Sequence, residues 1–197
     1  MTLKVSYTFL APVYDLFVGP AFASARSRSL AALPDGGKMV LINGAGTGLD
    51  LPLAPPGNRY VGLDITRAML VRAERRGARS DFFPVQGNSL ALPFRSASFD
   101  YAVLHLILAV VPDGARALAE TVRVVRPGGG ILVLDKFLRP GQRAPLRRLL
   151  SPLAARIATR LDVVFEDLLQ RVSGVRILCN EPAAARGWFR LIRLERL

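Results

Sequence analysis

The residue types able to do chemistry in this chain gather at two strand ends. Gly44, Gly46 and Gly48 follow the apolar run Met39–Ile42, with Asn43 and Ala45 among them. Asp64 closes a second apolar run, Tyr60–Leu63, 20 residues after Gly44. Glycine has no Cβ, so such a turn lets a ligand approach the backbone, and an acid at about this spacing is where nucleotide-binding α/β folds hold a ribose. Leu49 stands where G-x-G-x-x-G would place its third glycine, which arrives one residue early at Gly48. Less of a helix N-terminus is then available to a pyrophosphate. A cofactor with a ribose and no phosphate, S-adenosylmethionine, fits better than a dinucleotide.

His105, the only histidine, follows the apolar run that ends at Leu104, on the edge where open α/β sheets bind ligands. It can take a proton from an amine or hydroxyl acceptor, or simply cap the strand end. Tyr14 can turn its ring face to a methylated cation with Asp15 balancing the charge, or pack onto the sheet. No H-x-x-H or paired-carboxylate spacing calls for a metal. With one cysteine, Cys179, an intramolecular disulfide is excluded and a thiolate metal site disfavoured.

These residues need elements to position them. Strands are expected at 39–43, 60–64, 82–86, 99–104, 131–134, 175–180 and 188–194. Thr66 is placed to cap a helix over 67–77 and Asp113 one over 114–125, which Arg126-Pro127-Gly128-Gly129 ends. Leu49–Leu53 starts as a helix and is cut short by Pro52. The alternation predicts a doubly wound, mostly parallel, Rossmann-like α/β sheet of seven strands. The last two runs, with no long helix between them, should pair antiparallel at its edge. One domain is expected: lid helices over 1–35 divided at Gly19-Pro20, a cofactor-binding core over 38–135, a basic amphipathic insertion over 136–174, and a closing strand pair over 175–197.

The 197 residues are 51% hydrophobic and carry a net charge of +12, with 13 Lys and Arg against 5 Asp and Glu from Lys136 onward. That field attracts polyanions, whether nucleic acid, anionic lipid or an acidic substrate; it is also compatible with a merely basic, soluble chain. Over 144–170, Leu146, Leu149, Leu150, Leu153, Ile157 and Leu161 recur at helical spacing, interrupted by Arg147, Arg148, Arg156 and Arg160. Such a helix packs on its domain or lies on an anionic membrane, and the apolar N-terminus with Arg26 and Arg28 points the same way. No run is long enough to span a membrane. Pro12, Asp15 and Gly19-Pro20 break the apolar stretch before Ala23-Ser24-Ala25, which argues against a signal peptide. A cytoplasmic setting is the simplest expectation.

Four motifs in order give the chain a wider resemblance: Val40–Gly48, Asp64 with Thr66–Leu70, Gly87–Phe94 and Arg126–Leu134. Along nearly its whole length it resembles class I S-adenosylmethionine-dependent methyltransferases. The resemblance implies that Asn43, Gly44, Ala45, Gly46 and Gly48 lie against the methionine moiety and Asp64 and Ile65 at the ribose. Met69, Gly87, Asn88, Ser89 and Leu90 then surround the adenine, with His105 also at the cofactor. Two positions depart from the pattern: Ile42 stands where an acid is usual, and Asn88 where an aspartate is usual. Weaker cofactor binding is expected, with Asp50 nearby as a substitute acid.

Leu10–Leu16, Gly46–Pro52 and Asp135-Lys136-Phe137 further resemble bacterial phosphatidylethanolamine N-methyltransferases, which work at the membrane surface. This implies methyl transfer to a lipid amine, S-adenosylhomocysteine as product, Tyr7, Tyr14 and Asp15 in the lid at the acceptor, and Lys136, Arg139 and Arg143 near the phosphate. Ubiquinone and menaquinone C-methyltransferases share much of the pattern. A soluble or quinone acceptor, or a cofactor-binding module without catalysis, therefore stays open. Nucleic acid is not an expected partner, since no Asn-Pro-Pro-Tyr type motif is present.

Overall fold

The computed structural model describes residues 22–78, 80–142 and 160–197. Its strands are β1 (Met39–Asn43), β2 (Arg59–Asp64), β3 (Asp81–Gln86), β4 (Phe99–His105), β5 (Val125–Lys136), β6 (Val175–Ala184) and β7 (Phe189–Arg196). The helices are α1 (22–30), α2 (Arg67–Arg76), α3 (Gly114–Val124) and α4 (Phe165–Gln170). The strands form one sheet in the order β3-β2-β1-β4-β5-β7-β6. Pairing is parallel from β3 through β5, while β7 runs antiparallel between β5 and the edge strand β6. This is the expected doubly wound α/β sheet.

Both faces of the central strands are buried, so the strands read as continuous apolar runs. Successive side chains alternate between two cores. Leu41, Ala102, Leu104, Ile131 and Val133 point to the face covered by Ala117 and Leu118 of α3 and Phe165 of α4. Val40, Ile42, Val103 and Leu132 point to the other face, against Leu30 of α1, Leu33 and Ala73 of α2. At its start α1 is fixed by Phe22, whose ring meets that of Phe189 edge-on at 4.5 Å.

The elements differ from expectation at four places. β5 begins at Val125, because Arg126–Gly129 forms an irregularity in the β4–β5 ladder and does not leave the sheet. Gly129 and Gly130 lie so close to β4 that a Cβ would stand 2.5 Å from the Asp100 carbonyl oxygen and 2.7 Å from the Tyr101 ring. Thr66 occupies the N-cap of α2 but its side chain makes no capping bond, whereas the Asp113 carboxylate does accept from Arg116 N at 3.1 Å. Leu51–Leu53 is a single 3-10 turn. The expected helix over 144–170 is not continuous: of its described part, only Phe165–Gln170 is helical, and Val164 instead bridges to Leu138. Residues 143–159, most of that segment, lie outside the described residues.

Candidate functional site

The strand order reverses between β1 and β4, and open sheets of this type bind ligands outside the carboxyl ends of the strands at that switch. Two adjoining cavities of about 130 and 180 Å³ lie there. Both are lined by Gly44, Asp64, Ile65, Thr66, Ile107 and Val110; the first adds Ala45, Gly46, Met69 and His105, and the second Asn88, Ser89 and Leu90.

The glycine loop is built for close approach. Gly44 has φ +79°, and a Cβ there would meet Ile107 Cδ1 at 2.7 Å. Gly46 has φ +54° with nothing within 4 Å of a Cβ position, so the floor of the cleft is bare backbone. Asp64 ties this loop to β2: its carboxylate accepts from Gly46 N at 2.9 Å and Thr66 N at 2.8 Å. Burial raises the Asp64 pKa despite these N–H donors. The Ile65 N–H and the Thr66 hydroxyl also favour the charged carboxylate, which lines both cavities.

The roof is the 106–112 loop. Leu106 sits at φ +59° with its N–H on Leu134 O at 2.7 Å, and Ala109 N donates to the buried Asp135 carboxylate at 3.0 Å. Burial pushes the Asp135 carboxyl up and the Lys136 amine down, the latter opposed by the charge of Asp135. Ile107, Val110 and Met69 make the lining largely apolar, which suits a reaction run without water.

At the end of the first cavity lies a buried polar group. Asp50 Oδ1 accepts from Arg26 Nη1 at 2.6 Å and meets His105 Nδ1 at 2.7 Å, while His105 Nε2 meets Ser29 Oγ at 2.9 Å. Burial would raise the Asp50 carboxyl, but the charges and hydrogen bonds of His105 and Arg26 hold it well below the usual carboxylate range. Asp50 is therefore an ionised acceptor and Nδ1 carries a proton.

The expected site residues divide accordingly. Gly44, Ala45, Gly46, Asp64, Ile65, Met69, Asn88, Ser89, Leu90 and His105 converge on the cleft. Asn43, Gly48 and Gly87 do not line it. The fully buried Asn43 amide donates to Thr121 Oγ1 at 3.0 Å and accepts from Ser89 Oγ at 2.6 Å, so it braces the site from behind. Gly48 packs on Ala73 of α2 and Gly87 on Leu63. The Asn88 carbonyl accepts from Leu90 N at 2.9 Å, shaping the turn that faces the second cavity. His105 has both ring nitrogens hydrogen-bonded, to Asp50 and Ser29, so its ring is held in place at the strand end.

Arg139 opens onto a separate hollow with Pro140, Asn180, Pro182 and Arg190, so neither it nor Lys136 is brought to the cleft. Arg26 and Arg28 are not free cations for a membrane: Arg26 is buried against Asp50, and Arg28 pairs with Glu181 at 2.7 Å. Tyr7, Tyr14, Asp15 and Arg143 lie outside the described residues. Arg26 and the roof residues Ile107 and Val110 were missed. Arg26 carried no local signal, since Ser24, Ser27, Arg28 and Ser29 surround it in sequence.

Comparison with known proteins settles the family. Residues 41–133 match a methyltransferase domain. The chain is 30% identical over 191 residues to the phosphatidylethanolamine N-methyltransferase of Cereibacter sphaeroides, covering 93% of each. The chain belongs to the S-adenosylmethionine-dependent methyltransferases. It is also 32% identical to the demethylmenaquinone methyltransferase of Beutenbergia cavernae, over 78% of this chain and 65% of that one. Among solved structures, the methyltransferase bound to the Haloferax volcanii Trm112 activator matches with a TM-score of 0.80 at 16% identity, covering 99% of this chain and 97% of that one. A methyltransferase from Thermotoga maritima matches over 100% of both chains with a TM-score of 0.72 at 21% identity.

The cleft of this methyltransferase fits its cofactor. Bare backbone over Gly46, an acid at Asp64 lining both cavities, and the unpartnered buried Nε of Arg26 are all features that S-adenosylmethionine would use. Among the described residues no group of three or more His, Cys, Asp or Glu is placed to hold a metal, and no helix is long and apolar enough to cross a membrane.

Proposed function

We propose that this enzyme methylates the amine of phosphatidylethanolamine or its partly methylated forms at a membrane surface. The observation that carries the reading is the match to a phosphatidylethanolamine N-methyltransferase over 93% of both chains. The demethylmenaquinone methyltransferases align over smaller shares, 54% and 78% of this chain in two cases. The edge strand β6 supports a peripheral membrane site, since it exposes Ile177 and Leu178.

When bound, S-adenosylmethionine supplies a methyl group already activated on a positively charged sulfur. The protein's task is to hold the acceptor in line and keep water out. Asp64 takes the ribose hydroxyls, and the Asn88–Leu90 turn meets the adenine. Ile65, Met69 and Ile107 exclude water from the space between. On the acceptor side we assign the ammonium to Tyr7, Tyr14 and Asp15 and the lipid phosphate to Arg143; Lys136 and Arg139, which stand away from the cleft, are left with no contact to the substrate. His105 is engaged by Asp50 and Ser29 and holds the Asp50 carboxylate in place.

Incubation with methyl-labelled S-adenosylmethionine and liposomes of phosphatidylethanolamine and phosphatidylglycerol should place label in the lipid extract. Label absent at every lipid composition, but present on a demethylated quinone or a soluble amine, would reject the lipid reading. The second reading, a quinone acceptor, draws on the 38% identity to a demethylmenaquinone methyltransferase of Renibacterium salmoninarum over 108 residues.

A further inference from the structure

Two residues before the first glycine of the loop, at the end of β1, stands Ile42, buried to 2% exposure. Its side chain belongs to the apolar core with Leu30, Tyr60, Val103 and Leu132. That position offers a zwitterion nothing. The cleft nevertheless contains one carboxylate and one guanidinium of unexplained partnership. Arg26 is 5% exposed, yet a single contact, Nη1 on Asp50, is its only hydrogen bond among the described residues. Its Nε–H is buried with no partner. Asp50 is 3% exposed, and both of its donors converge on Oδ1, leaving Oδ2 without one among the described residues.

Unsatisfied buried donors are costly, and a buried ion pair kept only for stability is rarely better than apolar side chains of the same volume. Two residues that line the same cavity and leave a guanidinium N–H and a carboxylate oxygen unused are suited to a ligand that carries the complementary charges. The cavities also impose an order. Asn88, Ser89 and Leu90 line the second, Asp64 lines both, and Arg26 and Asp50 line the first. Adenine, ribose and amino acid end of an extended S-adenosylmethionine follow the same order.

We propose that Arg26 and Asp50 bind the amino acid end of the cofactor, Arg26 taking its carboxylate and Asp50 Oδ2 its ammonium, in place of the missing acid on β1. His105 and Ser29 act behind them as positioning residues, fixing the Asp50 carboxylate through Nδ1 and the imidazole through Nε2. The site is assembled from α1, the glycine loop and the end of β4, so the helix next to the N-terminal segment reads the cofactor directly. The proposal rests on the cofactor assignment and is independent of the lipid acceptor.

Lipid-free titration calorimetry tests it with three ligands: S-adenosylmethionine, its decarboxylated form, and 5′-methylthioadenosine, which keeps adenine, ribose and sulfur but has no amino acid end. The unaltered enzyme should bind decarboxylated S-adenosylmethionine at least about tenfold more weakly than the intact cofactor. Arg26→Gln and Asp50→Asn should each weaken S-adenosylmethionine about 30-fold and leave 5′-methylthioadenosine within about twofold. Equal affinity of the unaltered enzyme for the first two ligands would overturn the proposal, whether or not the variants fold. So would variants that lose both S-adenosylmethionine and 5′-methylthioadenosine equally, or neither. Failure of the unaltered enzyme to bind any of the three would overturn the cofactor assignment itself and the proposal with it.

Discussion

Replacing Gly44 by alanine tests the link between the glycine loop and the roof. Gly44 has φ +79°, where an L-residue costs about 1–2 kcal/mol. The added Cβ would stand 2.7 Å from Ile107 Cδ1, 2.8 Å from Cγ1 and 3.0 Å from Cβ, so the roof must lift. Overpacking of that kind costs about 1–3 kcal/mol. A total of about 2–5 kcal/mol lowers the melting temperature by roughly 5–15 °C for a domain of this size. Cofactor affinity should fall as well, because Ile107 lines both cavities. Shortening the roof residue separates the two costs: Ile107→Ala removes the two closest atoms, so the Gly44→Ala, Ile107→Ala double variant should recover about 1–3 kcal/mol relative to the sum of the single changes. Thermal unfolding of the four proteins completes the cycle. Additivity within about 0.5 kcal/mol would refute the contact, leaving backbone strain as the whole effect.

Three further outcomes follow from the same geometry. Asp64→Asn should weaken S-adenosylmethionine about tenfold by calorimetry; because burial raises the Asp64 pKa, the unaltered enzyme should lose affinity on acidification above the ordinary aspartate range, while the variant stays flat. Asp50 titrates the other way: with its folded pKa below the ordinary 3.8, its contribution to stability is complete above that value and is lost as pH falls toward the folded one. The stability gap between the unaltered enzyme and Asp50→Asn in denaturant melts should therefore shrink on going from about pH 5 to pH 3. Arg190, 7% exposed, holds Glu166 at 2.5 and 3.2 Å and Asn180 at 3.0 Å, tying β7 to α4 and β6 away from the cleft. Arg190→Ala should cost about 3 kcal/mol of stability and leave cofactor affinity unchanged.

The sheet was legible because its central strands β1 and β4 are buried on both faces and write short apolar runs. Asp113 was legible as a cap because its effect is local, reaching Arg116 three residues on. Gly44, Gly46 and Asp64 were legible because turn and acid sit at the ends of adjacent strands, which sequence spacing measures well. The start of β5 was not, since Arg126-Pro127-Gly128-Gly129 has turn composition and only the pairing of Val125 with Phe99 keeps it in the ladder. Arg26 read as a surface cation, because nothing near it in sequence announces Asp50, 24 residues away. Between proton acceptor and strand-end cap the sequence could not choose for His105, for the same reason: its partners Asp50 and Ser29 are 55 and 76 residues distant. Charge pairs formed between elements leave no periodic trace. The loop glycines pointed to the cofactor, and only folding reveals which charges meet its far end.

A crystal structure with S-adenosylhomocysteine bound tests the central claim most directly. In it the ribose hydroxyls should lie on Asp64, the adenine against Asn88–Leu90 beneath Ile107, and the amino acid end beside Gly44–Gly46. Nucleoside density elsewhere, or an occupied cleft with Asp64 bonded only to Gly46 and Thr66, would contradict it.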